Sequence, residues 1–294
     1  MAGRAGGAAE KIDRPGDGDR LSHRDFARLA KFIEGYSGIK MPTSKMTMVE
    51  GRLRRRVRAT GLTSVTDYCC YLFDQGGLDD EAVYVIDAIT TNKTEFFREP
   101  EHFRILTNKV LPEIASKRRI NIKKPLKVWS AACSTGAEPY TLAMVIADFA
   151  QNQPGFHAQV LGTDLCTEVL GTAVTGVYPE AMIMPVPIDM RRRHLLKSKN
   201  SAQPKVRIVP NLRAMATFGR LNLIQPTYPV DKDMDVIFCR NILIYFDRPT
   251  QEAVLGRLCD HLRPGGYLFL GHSESLAGLK LPVIPTGNTV FQRV

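Results

Sequence analysis

The sequence has no run of about 18 apolar residues, so no membrane-spanning helix is expected. Its opening stretch, MAGRAGGAAEKIDRPGDGDR, lacks the apolar core of a signal peptide. That stretch is small, charged and glycine-rich, which predicts a disordered tail over 1–20. None of the six cysteines forms a C-x-x-C pair, and no Cys/His group has zinc-ligand spacing. No metal site is therefore expected, and the thiols read as reduced and mostly buried, as in a cytosolic protein. A G-x-G-x-x-G fingerprint is missing too, which counts against a nicotinamide-dependent oxidoreductase.

What is present is ordinary for a globular chain: 294 residues, 44% hydrophobic and 24% charged. The formal net charge of +10 implies an acidic partner, whether nucleic acid, anionic lipid or an acidic protein surface.

Two regions differ in periodicity. Residues 21–90 read as a small helical domain without strands. Met46, Val49, Leu53 and Val57 form one apolar stripe, predicting a helix over 45–59 that Gly61 stops. Arg52, Arg54, Arg55, Arg56 and Arg58 fall off that stripe and predict a cationic face. Further helices are expected over 65–73 and 80–89.

Residues 91–294 read as α/β. Strands are expected at 126–130, 158–162, 236–239, 266–271 and 290–294. Helices are expected at 139–149, 167–173 and 249–261. Such alternation argues for a parallel, Rossmann-like sheet covered on both faces. Residues 178–215 interrupt it with prolines, a basic run at Arg191, Arg192 and Arg193, and a strand at 206–209. They read as an inserted small antiparallel β-subdomain with a helix.

The loop after the first strand, in KVWSAACSTGAEPYTL, sits where doubly wound sheets bind ligands. Its small residues would let backbone approach a ligand closely. It holds one glycine, Gly136, and an acid, Glu138, where the helix begins. A carboxylate there would repel a phosphate and would suit a cationic, phosphate-free ligand such as S-adenosylmethionine. Asp164, ending the second strand, stands where a ribose-binding acid is expected. The bland alternatives are a helix N-terminal charge for Glu138 and a turn cap for Asp164.

Four segments in this order, TTNKTEFFREPEHF, SAACSTGAEPYTLAM, FCRNILIYF and GHSES, resemble the CheR family of chemotaxis receptor methyltransferases. The resemblance spans roughly 21–294. It implies a class I methyltransferase domain with a small antiparallel β-subdomain and an N-terminal helical domain. It implies transfer of methyl from S-adenosylmethionine to glutamate side chains on the cytoplasmic helices of chemoreceptors, leaving S-adenosylhomocysteine. By motif match, Asn92, Thr94, Arg98, Glu138, Asp164, Asn222, Leu223, Arg240 and Asn241 would contact the cofactor. Arg98, Tyr245 and Arg240 would orient the incoming carboxylate. His102 and His272 are not expected to act as bases, because a carboxylate nucleophile needs none. The sequence departs from the family at Ala137, where a first glutamate is usual.

On this reading the basic helix would dock a glutamate-rich receptor helix. The enzyme would be cytoplasmic, recruited to receptor arrays at the inner membrane without inserting. Members that tether to a receptor C-terminal peptide use a glycine-rich loop. The matching stretch here, LLKSKNSAQPKVRI, has no glycine, so tethering is not expected. A nucleic-acid methyltransferase is the first rival, but the third strand ends in CRN rather than (N/D)PP(Y/F), and no Pro-Cys nucleophile appears. A non-catalytic cofactor-binding signalling protein is the second.

Overall fold

The computed structural model describes residues 20–199 and 202–294, so the tail expected over 1–20 lies outside the described residues except for Arg20. The described chain divides into two compact units. The first takes residues up to Lys31 together with Pro42–Ile89; the second takes Phe32–Met41 and Thr90–Val294. Helix α1 (His23–Ser37) contributes to both.

The first unit continues with α2 (Met46–Ala59), α3 (Val65–Asp74) and α4 (Leu78–Ile89). On α2 the stripe residues Val49, Leu53 and Val57 are buried, as their four-residue spacing requires. Ser64 caps α3 by accepting the Asp67 amide at 3.0 Å.

In the second unit, a helical run leads into the sheet: α5 (Pro100–Ile105), a turn of π-helix at Leu106–Val110, and α6 (Leu111–Lys117). The remaining elements are β1 (Leu126–Ala131), α7 (Ala137–Ala150), β2 (Ala158–Asp164), α8 (Thr167–Thr175), β3 (Val177–Pro179), α9 (Ile188–His194), β4 (Leu195–Lys197), β5 (Lys205–Ile208), α10 (Pro210–Met215), β6 (Ala216–Arg220), β7 (Met234–Cys239), α11 (Arg248–His261), β8 (Leu262–Leu270), β9 (Val283–Gly287) and β10 (Val290–Arg293). The large sheet runs β6-β2-β1-β7-β8-β10-β9. Neighbours from β6 to β8 pair in parallel, and β10 pairs antiparallel with both β8 and β9.

Both faces are covered, so the central strands are apolar on both sides. Val128 faces one core with Tyr140, Leu142 and Phe238, while Trp129 faces the other with Leu255, Leu258 and Ile237. Each large side chain removed from water in this way contributes about 1.5–3 kcal/mol. β8 begins at Leu262, before the strand expected from 266, and carries an irregularity at its start. There the register jumps from Met234↔Leu262 to Val236↔Tyr267. Gly265, at φ +77°, makes that jump possible.

The insertion forms a separate three-stranded antiparallel sheet, β3-β5-β4. Asp148 of α7 anchors it, accepting from Arg193 at 2.7 Å and contacting His194 at 2.8 Å. Order reverses across β1, with β2 on one side and β7 on the other. The crevice at their carboxyl ends is therefore the place to look for chemistry.

Candidate active site

Three segments meet at that crevice. The first is the loop after β1. The Ser134 amide donates to Asp164 at 2.7 Å, and the Ser134 hydroxyl donates to the Asn92 carbonyl at 2.9 Å. Asp164 also accepts the Cys166 amide at 2.9 Å. The Cys133 amide donates to the Thr163 carbonyl, and the Gly136 amide to the Cys133 carbonyl. The Cys133, Ser134 and Gly136 amides are thus committed to β2 and to the loop itself rather than turned to a phosphate.

Gly136 is needed for packing within the fold. It has φ +85°, and a Cβ there would lie 2.8 Å from the Ala173 Cβ and 3.1 Å from the Tyr178 hydroxyl. The glycine admits α8 and Tyr178.

The second segment is 92–99. The Asn92 side chain contacts the Thr90 hydroxyl and the Cys166 sulfur. Thr94 is half-buried, and the Arg98 guanidinium donates to the Lys93 carbonyl at 3.1 Å. Glu99, in the left-handed region at φ +55°, opens α5.

The third segment follows β7. Arg240 has a side chain only 2% exposed. Its Nε donates to Glu138 at 2.7 Å, and its Nη1 donates to the Arg98 carbonyl at 2.8 Å and to Glu99 at 3.2 Å. The other Glu138 oxygen accepts the Ser130 hydroxyl at 2.7 Å. Glu138, expected to face a cationic ligand, thus already has a cation beside it. With Asp164 and Glu99, the carboxylates still outnumber Arg240. Burial pushes the Glu99 carboxyl up, but the Asn241 amide and Arg240 outweigh it and hold it below the usual range.

His102 is fully buried, and Arg240 Nη1 lies 3.1 Å from its Nδ1. The two Nη1 protons are shared among the Arg98 carbonyl, Glu99 and Nδ1, and Nε2 lies 3.0 Å from the Thr289 hydroxyl. Burial and the Arg240 charge lower its pKa to about 4. Asn241, at φ +61°, donates from its side chain to Glu99 at 3.1 Å.

The other expected residues stand nearby or apart. The Leu221 amide donates to the Asp164 carbonyl at 2.9 Å, which brings 221–223 to the end of β2. The Asn222 side chain is spent on the Tyr36 carbonyl and the Ile224 amide, and the Leu223 carbonyl accepts from Tyr228 and Arg257. Tyr245 is half-buried on the 3-10 turn Leu243–Tyr245, its carbonyl accepting the Lys40 amide.

Among the described residues, seven non-glycine residues have positive φ. Phe97, Glu99, Ala132, Ser134 and Asn241, five of them, belong to these three segments. Such clustering marks a site whose geometry is imposed by its surroundings. Glu99 ties the second segment to the third through Arg240 and Asn241, while His102 and Glu274 brace the third. Sequence reasoning assigned no role to Glu99 or Glu274, although both lie inside motifs it quoted.

The basic helix of the first unit is mostly committed within that unit. Arg56 makes a two-pronged pair with Glu81, at 2.7 and 3.0 Å, and lies 4.2 Å over the Tyr84 ring. Tyr68 donates to the same Glu81 at 2.6 Å. Arg54 pairs with Glu50 at 2.9 Å, and Arg52 donates to the Ile89 carbonyl. Arg55 and Arg58 are the exposed members of the run. All six cysteines are free; Cys70 is exposed and the other five are buried. Among the described residues, no helix is long and apolar enough to cross a membrane.

Residues 92–290 match the CheR methyltransferase, SAM binding domain, and residues 24–90 match the CheR methyltransferase, all-alpha domain. A chemotaxis protein methyltransferase of Klebsiella aerogenes is 38% identical over 272 residues, 92% of this chain and 90% of that protein. One of Escherichia coli K12 is 36% identical over 271 residues, 92% of this chain and 91% of that protein. One of Borreliella burgdorferi is 34% identical over 261 residues, 88% of this chain and 91% of that protein.

Proposed function

The chain belongs to the CheR methyltransferase family and is an S-adenosylmethionine-dependent methyltransferase, and from that premise we propose that it methylates glutamate side chains of chemotaxis receptors, forming methyl esters for adaptation. It would act in the cytoplasm at receptor arrays, on the receptors' helical cytoplasmic region. The glycine-free connection between β4 and β5 supports recognition without capture of a receptor tail peptide.

The donor set fits the cofactor. The crevice offers the carboxylates of Asp164, Glu138 and Glu99, and the Cys133, Ser134 and Gly136 amides of its loop are already engaged. That suits a cationic ligand with ribose hydroxyls and no phosphate. Asn92, Thr94, Arg98, Asp164, Arg240 and Asn241 would hold it, with Asn222 and Leu223 at the adenine. When bound, S-adenosylmethionine supplies an electrophilic methyl group on sulfur.

The surroundings of Arg240 suit a nucleophile that needs no base. The buried histidine beside Arg240 has both ring nitrogens engaged and a pKa near 4, so it is not poised to take a proton near neutral pH. A glutamate side chain, with a reference pKa of about 4.3, is already ionised and needs no base. The chain's task is then to align a carboxylate oxygen with the transferring methyl and to exclude water. Alignment of this kind can supply roughly 7–11 kcal/mol. Arg98 and Tyr245 would orient the carboxylate, with Arg240 fixing the floor beneath them. Methyl transfer neutralises the attacking charge, so over-tight binding of the nucleophile would oppose it.

The test is transfer of labelled methyl from S-adenosylmethionine to chemoreceptor-containing membranes. Methyl esters release volatile methanol in base, whereas methylated amines do not. Label that resists base, or no label on receptor, overturns the reading.

A further inference from the structure

Four backbone amides converge on one carboxylate at the end of β8. Glu274 is 5% exposed. One of its oxygens accepts the Gly271 amide at 2.7 Å and the Asn241 amide at 3.0 Å. The other accepts the Ile242 amide at 2.9 Å and the Leu243 amide at 2.8 Å. Among the described residues no cation pairs with it. Its charge is held by backbone dipoles alone.

Three of those donors, 241 to 243, are successive amides turned to one point, which is an anion-binding nest. The left-handed Asn241, at φ +61°, gives the nest its curvature. Gly271 closes it from the other side: a Cβ there would lie 2.6 Å from the Asn241 side-chain nitrogen and 3.0 Å from the Glu274 carboxylate. The turn so held begins directly after Arg240 and runs into Leu243–Tyr245.

We propose that Glu274 is a positioning residue for methyl transfer: its carboxylate fills the nest after β7 and so sets Asn241 against Glu99 and fixes the turn that leads to Tyr245. It touches no reacting atom. This role rests on the reading above, because Asn241 and Tyr245 owe their functions to it. Glutamine at this position keeps the shape but has one acceptor oxygen; its amide nitrogen would face two N–H donors. The turn would have to move to relieve that clash.

A control separates positioning from plain stability. Asp235 is also buried, at the opposite, amino end of β7, where it pairs with Arg118 and Arg263 and accepts the Lys127 amide. Asp235→Asn should destabilise the fold without touching the crevice.

The experiment compares the full-length chain with Glu274→Gln and Asp235→Asn in three measurements: melting temperature, calorimetric affinity for S-adenosylhomocysteine, and kcat on receptor membranes at saturating S-adenosylmethionine. Glu274→Gln should lower kcat by about 10- to 100-fold, the cost of an ångström-scale misplacement, and weaken cofactor affinity several-fold. Asp235→Asn should keep both within about twofold while losing at least as much melting temperature. If Glu274→Gln does not fold, Gly271→Ala displaces Asn241 from the other side and is read the same way. Cofactor affinity and kcat within about twofold of the parent, in a folded variant, overturn the proposal; so does an equal loss in Asp235→Asn. If the parent chain fails to methylate receptors, the functional reading falls, while the affinity comparison still decides whether Glu274 sets the crevice.

Discussion

Arg240 and Glu138 lie 102 residues apart in sequence and join through a 2.7 Å bond from Nε to a carboxylate oxygen. The pair links the end of β7 to the first turn of α7, across the reversal in strand order. Both side chains are nearly buried, 2% and 11% exposed. Removing one partner of such a pair leaves the other charge in a poor solvent.

The first prediction follows from that pair. Glu138→Gln and Arg240→Gln should each destabilise the chain, and the double variant should lose less than the sum. Denaturant unfolding of all four forms should give a coupling energy above about 1 kcal/mol. Arg240 retains Glu99 when Glu138 is neutralised, so Glu138→Gln should be the milder change. Additive losses would show that the pair carries no net coupling.

A second prediction concerns acid. His102 has a folded pKa of about 4, below the ordinary value of 6.5, because of burial and the Arg240 charge. Between those values the unfolded chain binds the proton and the folded chain does not. Stability therefore falls as pH drops from about 6.5 toward 4, by up to roughly 3 kcal/mol. His102→Asn offers an acceptor near the Nδ1 position and cannot ionise. Its unfolding free energy should be lower than the parent's at pH 7 and flatter between pH 7 and 4.5. An equal slope in the two proteins would locate the acid sensitivity elsewhere.

The third prediction divides the arginine run on α2. Arg56 is locked to Glu81 and Tyr84, so Arg56→Glu should cost about 2–4 kcal/mol by placing two carboxylates together. Arg55 and Arg58 are exposed, and a joint Arg55→Glu, Arg58→Glu change should leave stability within about 1 kcal/mol. That double variant should raise KM for receptor membranes several-fold, more at low salt than at high, with cofactor affinity unchanged. Receptor kinetics identical to the parent's would remove α2 from receptor docking.

Much of the architecture was legible because local pattern and tertiary demand agree. The four-residue stripe of α2, the apolar KVWSA of β1 and the strand–helix alternation each point to one structure. What escaped has physical reasons. β6, ATFGR, is five residues long with a glycine and little alternation, so only its pairing to β2 makes it a strand. β9 carries Pro285 and Gly287, which count against a strand except at a sheet edge, where it lies. The site was legible residue by residue through its motifs, but not as a network. That Glu99 would reach Asn241, or that Glu274 would gather the amides after β7, depends on which strand ends lie side by side. The same limit applies to Arg56, whose position off the apolar stripe reads as solvent until Glu81 is brought to it.

The left-handed residues around the crevice have a consequence for how this enzyme could be improved. A non-glycine residue held in that region costs on the order of 1–3 kcal/mol. Glycine at Ala132, which has no side-chain bond to lose, would relieve that cost and free the backbone to sample other shapes. A screen that rewards heat resistance alone would therefore select that glycine, and the survivors would be sturdy but slack catalysts. Stability that is safe to recover lies at the opposite ends of the strands.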